Sequence, residues 1–572
     1  MNAHSDNANW RARALVLRLV FAAVAAVLLW RAVDLQVLDS DFLLDQGQAR
    51  YLRTVEMPAH RGVIHDRNGD PLAVSTPVDS LWANPQELLG AADRIPELAH
   101  ALGMKPAEFT RWLGKRKDRE FVYLRRHMTP EDAKRVLARR IPGVYSQREY
   151  RRYYPAGEVT AHVLGFTNID DRGQEGLELA YDDWLRGESG EKRVIKDRLG
   201  RTIEDVDSIQ VPRPGHDLTT TLDLRLQYLA YRELKAAVQE QGAKSGSIVV
   251  LDSHTGEILA MADQPSFNPN NRSDLKGALY RNRAVTDVFE PGSSFKPFPI
   301  AAALDAGDVT PSTVVDTSPG SIKVAGYAVD ESHDYGAVNV TTVLQKSINV
   351  GASHIAMRLA PEQLWGMLSR FGFGSLTGSG FPGEQSGLLR YYARWRPITQ
   401  ATLAYGYGIN VTALQLAQAY NVFADNGLRQ PVSLVMDQAT GEPQRVISER
   451  AAREMRKMLE SVVRDGGTGT RAAVPGYHVA GKTGTALKAE NGGYARGRYT
   501  AVFAGMLPAT RPRLVCVVVI NEPSHGKYYG GLVAAPVFAH VMAGAMRILD
   551  IPPDNLDTTA GTVVINAGGG AP

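Results

Sequence analysis

The sequence predicts an α+β protein: a single transmembrane helix, a mixed region, then a domain with one antiparallel sheet flanked by helices. Three observations predict it. Leu19 to Trp30 is an unbroken apolar run. Strand-like runs fall at 246–252, 256–261, 500–507 and 513–520. Helical segments separate the early strands from the late ones, which suggests one sheet with helices packed around it.

The apolar run extends back to Ala14 if Arg18 is counted. The strict run is short for a span of about 20 residues. Arg18 lies near its end, where it can snorkel to the headgroups. Arg11 and Arg13 precede it, so the N-terminus is expected to stay cytoplasmic. A cleaved signal peptide is the competing reading. Its small residues, Ala22–Val27, lie inside the run, and Arg31 follows Trp30 with no small-x-small site. An uncleaved anchor is therefore expected over 14–33, after a short tail over 1–13; a buried core helix is the third reading.

Residues 34–215 mix short strands with helical stretches. Asn68-Gly69 is a hairpin turn, which Arg61, Asp66 and Arg67 are expected to brace. Pro96–Ala99 and Met128–Ala133 open helical patterns, with Thr129 as an N-cap. Lys115-Arg116-Lys117 and Arg125-Arg126 read as solvated faces. A second domain is expected over 216–552. Leu218–Leu222 reads as a strand, and Asp223 caps a helix running to about Gln241. Gly246–Asp252 is a buried strand that Gly256–Met261 joins across a turn. The Pro-, Gly-, Ala- and Thr-rich residues 553–572 are expected to be disordered.

Composition excludes some classes. A chain of 572 residues should hold two or more domains. A net charge of +3 argues against a nucleic-acid surface. The one cysteine, Cys516, lies in an apolar strand and reads as a core residue. There is no HExxH and no cysteine-rich zinc pattern, so no metal or other cofactor is expected.

Three short motifs carry the chemistry: Ser293-Ser294-Phe295-Lys296, Ser347-Ile348-Asn349 and Lys482-Thr483-Gly484. A serine hydroxyl is a weak nucleophile until a base takes its proton. Residues three apart on a helix share a face, so Ser293 and Lys296 can touch. Pro291-Gly292 reads as a turn into a helix start, which places Ser293 in the first turn, where free N–H groups favour negative charge. Lys296 is a base only when neutral, against an ordinary pKa of about 10.4. Burial and a second cation, Lys482, would lower it. Ser347 offers a hydroxyl to relay a proton, and Asn349 an amide to hold substrate. Val479-Ala480 starts a strand, and its glycines, Gly481 and Gly484, would let a ligand approach the backbone. A peptide could then add as a strand, its carboxylate meeting Lys482, Thr483 and Thr485. Each motif is common alone, and each then reads as a helix face, a turn or a cap.

In this order the motifs resemble the active site of the penicillin-interacting serine acyltransferases. From about residue 31 to 545 the chain resembles a class B penicillin-binding protein of the septal, penicillin-binding protein 3 type. Arg61–Gly69, Ser75–Val78, Trp82–Pro85 and Gly173–Glu178 are similar to pedestal motifs. Gly380–Glu384, Tyr405–Gly408 and Tyr528–Gly531 are similar to septal signatures. The resemblance implies an elongated, non-catalytic pedestal domain over 34–215 and a transpeptidase domain over 216–552. It implies acyl transfer from the terminal D-Ala-D-Ala of a peptidoglycan stem peptide, and inhibition by β-lactam antibiotics. Ser293, Lys296, Ser347 and Lys482 would be catalytic. Asn349, Thr483, Gly484, Thr485, Tyr407 and Tyr528 would bind substrate, and the Ser293 and Thr485 N–H groups would form the oxyanion hole. Localisation at the inner membrane with a periplasmic catalytic domain follows, as do a SEDS-family glycan polymerase and other divisome membrane proteins as partners. The E-D-x-x-F pattern of a glycosyltransferase is missing, so no intrinsic glycan polymerisation is expected.

Rival readings use the same motifs. A serine β-lactamase or carboxypeptidase would take water as acceptor. Ser-x-Phe-Lys resembles class D lactamases, but their second motif usually ends in valine and this one ends in Asn349. No ExxLN-like segment supplies a class A deacylating glutamate. A penicillin sensor resembles a fused metalloprotease, against which the missing HExxH argues. A divisome scaffold with a secondary active site stays open.

Overall fold

The computed structural model describes residues 5–38, 52–196, 202–271, 277–438, 441–490 and 493–555. The tail expected over 553–572 lies almost wholly outside them, as does the start of the expected 1–13 segment.

Ser5–Val33 forms one helix of 29 residues. Within it and the turn that follows, Ala12–Gln36 is long and apolar enough to cross a membrane. At 1.5 Å per residue these 25 residues reach about 37 Å, more than a hydrocarbon core of about 30 Å. Leu19, Phe21, Leu28 and Trp30 all stand exposed. Such a surface is unfavourable in water and natural in lipid.

The rest of the described chain divides into two compact units that cut across the sequence. One holds Pro77–Arg151, Gly187–Gly215 and the chain up to His60. It contains an antiparallel sheet of Leu52–Met57, Gly190–Lys196 and Thr202–Gln210. It also contains a helical core around Leu88, Leu98, Phe109 and Leu113. Thr129 accepts from the Asp132 N–H at 3.2 Å and caps Pro130–Leu137. In the basic runs Lys115, Lys117 and Arg125 are exposed as expected, whereas Arg116 and Arg126 are half-buried. Arg126 pairs with Glu149 at 3.0 Å and lies over the Tyr123 ring, and Arg116 lies over Trp112. Long cationic stems lie readily on aromatic faces.

The other unit holds Arg61–Thr76, Arg152–Arg186 and the chain from His216. Here Asp66 does brace the Asn68-Gly69 turn, accepting from the Asn68 and Asp70 N–H groups at 2.7 and 2.9 Å. Gly69 takes the positive φ that the turn needs. Arg61 does something different. It is buried and bonds Glu178 at 2.8 Å and Asp182 at 2.7 Å, far along the chain. Arg152 meets the other Glu178 oxygen at 2.6 Å. A buried guanidinium needs partners on several sides, and a surface hairpin cannot supply them.

The catalytic sheet has five strands: β1 (Ser245–Asp252), β2 (Ile258–Gln264), β3 (Ala480–Glu490), β4 (Gly493–Leu507) and β5 (Leu514–Asn521). Their order is β2-β1-β5-β4-β3, every pair antiparallel. Side chains alternate between faces. Val249, Leu251, Val515 and Val517 enter one core, and Ile248, Val250, Cys516 and Val518 the other. Both faces are covered by helices, which is why the strands read as continuous apolar runs. Helices α1 (Leu224–Glu240) and α7 (Ala535–Ile548) lie on the second face. On the first lie α2 (Pro297–Ala306), α3 (Val340–Lys346), α4 (Asn349–Ala356), α5 (Ala413–Ala424) and α6 (Glu449–Val463). Asp223 caps α1, accepting from the Arg225 N–H at 3.0 Å. Strand β3 is an edge strand.

Candidate active site

Ser293 is not in the first turn of an α-helix. Gly292–Phe295 is a 3₁₀ turn, and α2 begins only at Pro297. Proline at the first helical position has no N–H to satisfy, so it starts a helix well. The 3₁₀ turn serves the chemistry directly, because its residues i and i+3 eclipse. Lys296 Nζ lies 3.1 Å from Ser293 Oγ. The turn is anchored from below: the Tyr420 hydroxyl donates to the Ser294 carbonyl at 2.6 Å, and Phe295 packs on Phe298 and Phe373. Lys296 is buried, while Ser293 keeps partial exposure.

Ser347 ends α3 in the left-handed region, at φ 62° and ψ 40°. A residue with a Cβ rarely adopts that conformation, at a strain of about 1 kcal/mol or more. It turns both the Ser347 carbonyl and hydroxyl toward Lys296. Lys296 Nζ donates to the carbonyl and lies 3.0 Å from Ser347 Oγ. Lys482 Nζ reaches the same hydroxyl from β3 at 2.9 Å.

Lys482 pairs with Ala504 of β4 and shares its face, the one toward α2. It is wholly buried and also bonds the Thr483 carbonyl at 3.1 Å. Thr483 and Thr485 point to the other face. Thr483 Oγ1 lies 2.8 Å from Thr468 Oγ1, and Thr485 Oγ1 accepts from the Gly530 N–H at 3.0 Å.

Burial pushes Lys296 down to about 7, and the Glu331 carboxylate opposes that fall. Lys482 is held well below the ordinary lysine value by burial first and by the Lys296 charge second. The two amines repel, so their protons belong to the pair rather than to either residue.

The glycines of the third motif have a reason the sequence did not suggest. A Cβ at Gly484 would lie 2.6 Å from the Pro291 carbonyl oxygen, so this glycine lets β3 press on the nucleophile turn. Gly481 makes room for the Phe503 ring rather than for a ligand. Likewise a Cβ at Gly406 would lie 2.2 Å from the Gly292 carbonyl oxygen.

The outer edge of β3 faces the site. Tyr407 accepts at its hydroxyl from the Leu487 N–H at 3.3 Å, so that N–H points away from β4. Two residues earlier, Thr485 turns its N–H the same way. Tyr407 meets Tyr494 edge-on at 5.3 Å, and Tyr528 stacks on Tyr499 at 4.2 Å. The Asn349 N–H donates to Glu331 at 2.5 Å. Glu331 and Thr468 were missed in the sequence, and Gly530 was noted only within the Tyr528–Gly531 signature. Glu331 sits in the polar stretch Asp330–Asp334, which reads as an ordinary solvated turn.

This geometry is one of serine acyl transfer, and similarity to known proteins agrees. The penicillin binding protein transpeptidase domain model matches residues 246–543, and the penicillin-binding protein dimerisation domain model matches 56–220. The chain belongs to the class B penicillin-binding proteins. It is 43% identical over 552 residues to the probable peptidoglycan D,D-transpeptidase PbpC of Pseudomonas aeruginosa, covering 96% of this chain and 97% of that protein. It is 43% identical over 573 residues to the peptidoglycan D,D-transpeptidase FtsI of Escherichia coli, covering 99% and 97%. Among solved structures it is similar to penicillin-binding protein 3 of Mycobacterium tuberculosis in complex with aztreonam. There the TM-score is 0.68 at 29% identity, over 88% of this chain and 98% of that one.

Proposed function

We propose that this chain is a membrane-anchored peptidoglycan D,D-transpeptidase of the septal type, inhibited covalently by β-lactams. One observation carries the reading: Lys296 Nζ stands 3.1 Å from Ser293 Oγ and 3.0 Å from Ser347 Oγ. A nucleophile, its base and a relay hydroxyl thus touch in sequence. Ser293 Oγ attacks the carbonyl between the two terminal D-alanines and passes its proton to Lys296. The C–N bond breaks as the proton held by Lys296 passes through the Ser347 hydroxyl to the departing D-alanine amine, which leaves Lys296 neutral again. The N–H groups of Ser293 and Thr485 receive the oxyanion. Thr483 and Thr485 hold the substrate carboxylate, and Asn349 grips an amide of the donor strand laid along β3. Gly484 keeps β3 against the nucleophile turn, and Tyr407 and Tyr528 wall the groove. The amine of a neighbouring stem peptide then attacks the ester and gives its proton to Lys296, and Ser293 leaves with a proton restored.

The apolar helix supports a single-pass inner-membrane anchor over 14–33, with the catalytic domain in the periplasm. A non-catalytic pedestal over 34–215 precedes a transpeptidase domain over 216–552. A SEDS-family glycan polymerase and other divisome membrane proteins are the partners this placement favours. The decisive experiment labels the full-length protein in detergent with penicillin and digests it. An adduct on the peptide holding Ser293, absent in Ser293→Ala, is expected; an adduct elsewhere would sink the reading.

A further inference from the structure

Helix α4 carries Asn349 at its first position, yet its N-cap residue is Ile348, which makes no side-chain cap bond. The first N–H groups of a helix need outside partners. The partner of the Asn349 N–H is Glu331 Oε2 at 2.5 Å, 18 residues upstream, just past the short hairpin strand Tyr327–Asp330. Such a charge-assisted bond is short and strong, and the helix dipole favours an anion there. α4 follows directly on Ser347 and Ile348, so whatever fixes its start also fixes the strained serine.

We propose that Glu331 is a further positioning residue of this site: its carboxylate caps the helix that bears Asn349 and stands as a fixed negative charge toward Lys296. The inference deepens the acyl-transfer reading above and rests on it. The groups around Lys296 are few. Ser293 comes from its own turn, Ser347 from the end of α3, Lys482 from β3 and Glu331 from the hairpin loop. Of these only Glu331 carries negative charge, and only it holds the Lys296 amine up against burial. The Tyr405 phenol is raised by burial first and Tyr407 second, and the charges of Asp330 and Glu331 add to that rise. Glu331 therefore sets how much neutral base the site holds at a given pH, while keeping the second motif in register.

Glu331→Gln and Glu331→Ala separate the two effects. Glutamine keeps an acceptor oxygen for the Asn349 N–H and removes the charge; alanine removes both. Acylation of the full-length protein in detergent by a fluorescent penicillin is followed from pH 5 to 9. With the carboxylate gone, Lys296 loses its proton more readily, so the acid limb of the Gln profile moves to lower pH. At pH 5.5 that variant acylates on the order of tenfold faster than wild type, with its plateau kept. The Ala variant shows the same displacement with a plateau lowered on the order of fivefold, the worth of a lost cap. A Gln limb coincident with the wild-type limb overturns the proposal, whatever its plateau. Competitive labelling of Lys296 with acetic anhydride reads the same displacement without turnover. A wild-type protein that never acylates therefore brings down the functional reading, and the labelling still decides the role of Glu331.

Discussion

Lys296 and Lys482 reach one atom from two sides, their Nζ atoms 3.0 and 2.9 Å from the hydroxyl oxygen of Ser347. Two ammonium groups cannot both stay charged so close together in a buried place. One of them is neutral near physiological pH, and a neutral amine can accept a proton from Ser293 or Ser347. The repulsion that makes the pair unfavourable as packing makes it useful as a base.

Lys296 should therefore couple activity to stability. Its folded value of about 7 lies below the ordinary lysine value. Between those values the unfolded chain binds more protons, so stability rises with pH across that window, and below about 7 the destabilisation is complete. Acylation should rise around pH 7, as neutral amine accumulates in the folded protein, and level off above it. Lys296→Met is expected to stabilise the protein at pH 7 by about 1–2 kcal/mol while abolishing acylation. Lys296→Arg should abolish acylation too, because arginine stays charged. Thermal unfolding and penicillin labelling test both; near wild-type labelling of the Arg variant would refute the neutral-lysine mechanism.

Ser347→Gly should separate strain from chemistry. Glycine adopts φ 62° freely, so the variant should gain about 1 kcal/mol in chemical denaturation. Loss of the relay hydroxyl should slow acylation by on the order of 100-fold or more. Ser347→Ala should lose the activity without the gain. Equal stability of the Gly and Ala variants would show that the left-handed turn carries no strain.

Gly406→Ala should damage the site through the nucleophile turn, since the Gly406 carbonyl accepts from the Gly292 N–H at 3.3 Å. The added Cβ would meet the Gly292 carbonyl oxygen at 2.2 Å, and φ there is +85°. Backbone must move on one side or the other, at a loss of about 1–3 kcal/mol. Slower acylation at Ser293 together with a lower Tm is expected. An unchanged acylation rate would mean that the Tyr405–Gly408 loop does not hold the nucleophile turn.

The penicilloyl-enzyme should last. Hydrolysis needs a base aimed at a water, worth on the order of 100- to 10,000-fold. In the proposed mechanism Lys296 serves an incoming amine, a stronger nucleophile than water. Glu384 is held in its own loop by the Thr377 N–H at 2.7 Å and the Ser379 hydroxyl at 2.8 Å. Fluorescent penicillin chased with unlabelled drug should persist for tens of minutes. Loss within seconds would favour a lactamase.

Much of this was legible in the residues. Thr129 and Asp223 announced their helices, because a cap is a local bond between neighbours. The strands around Cys516 announced themselves by apolar runs, because both sheet faces are covered. Some contacts that span the chain were misread. Arg61 looked like a brace for the turn beside it and instead bonds Glu178, 117 residues away. Gly484 looked like space for a ligand and is space for the Pro291 carbonyl.

The sequence by itself determined the chemistry and its parts list: Ser293 with Lys296, Ser347 with Asn349, and Lys482 with its threonines. Order and short spacing preserve such motifs, since each is one turn of helix or one pair of strand residues. Only the tertiary structure decided how they act together. It placed two lysines on one hydroxyl, bent Ser347 into the left-handed region and brought Glu331 to the start of α4. Distances between segments far apart in the chain are set by packing of the whole core, and no local pattern encodes them.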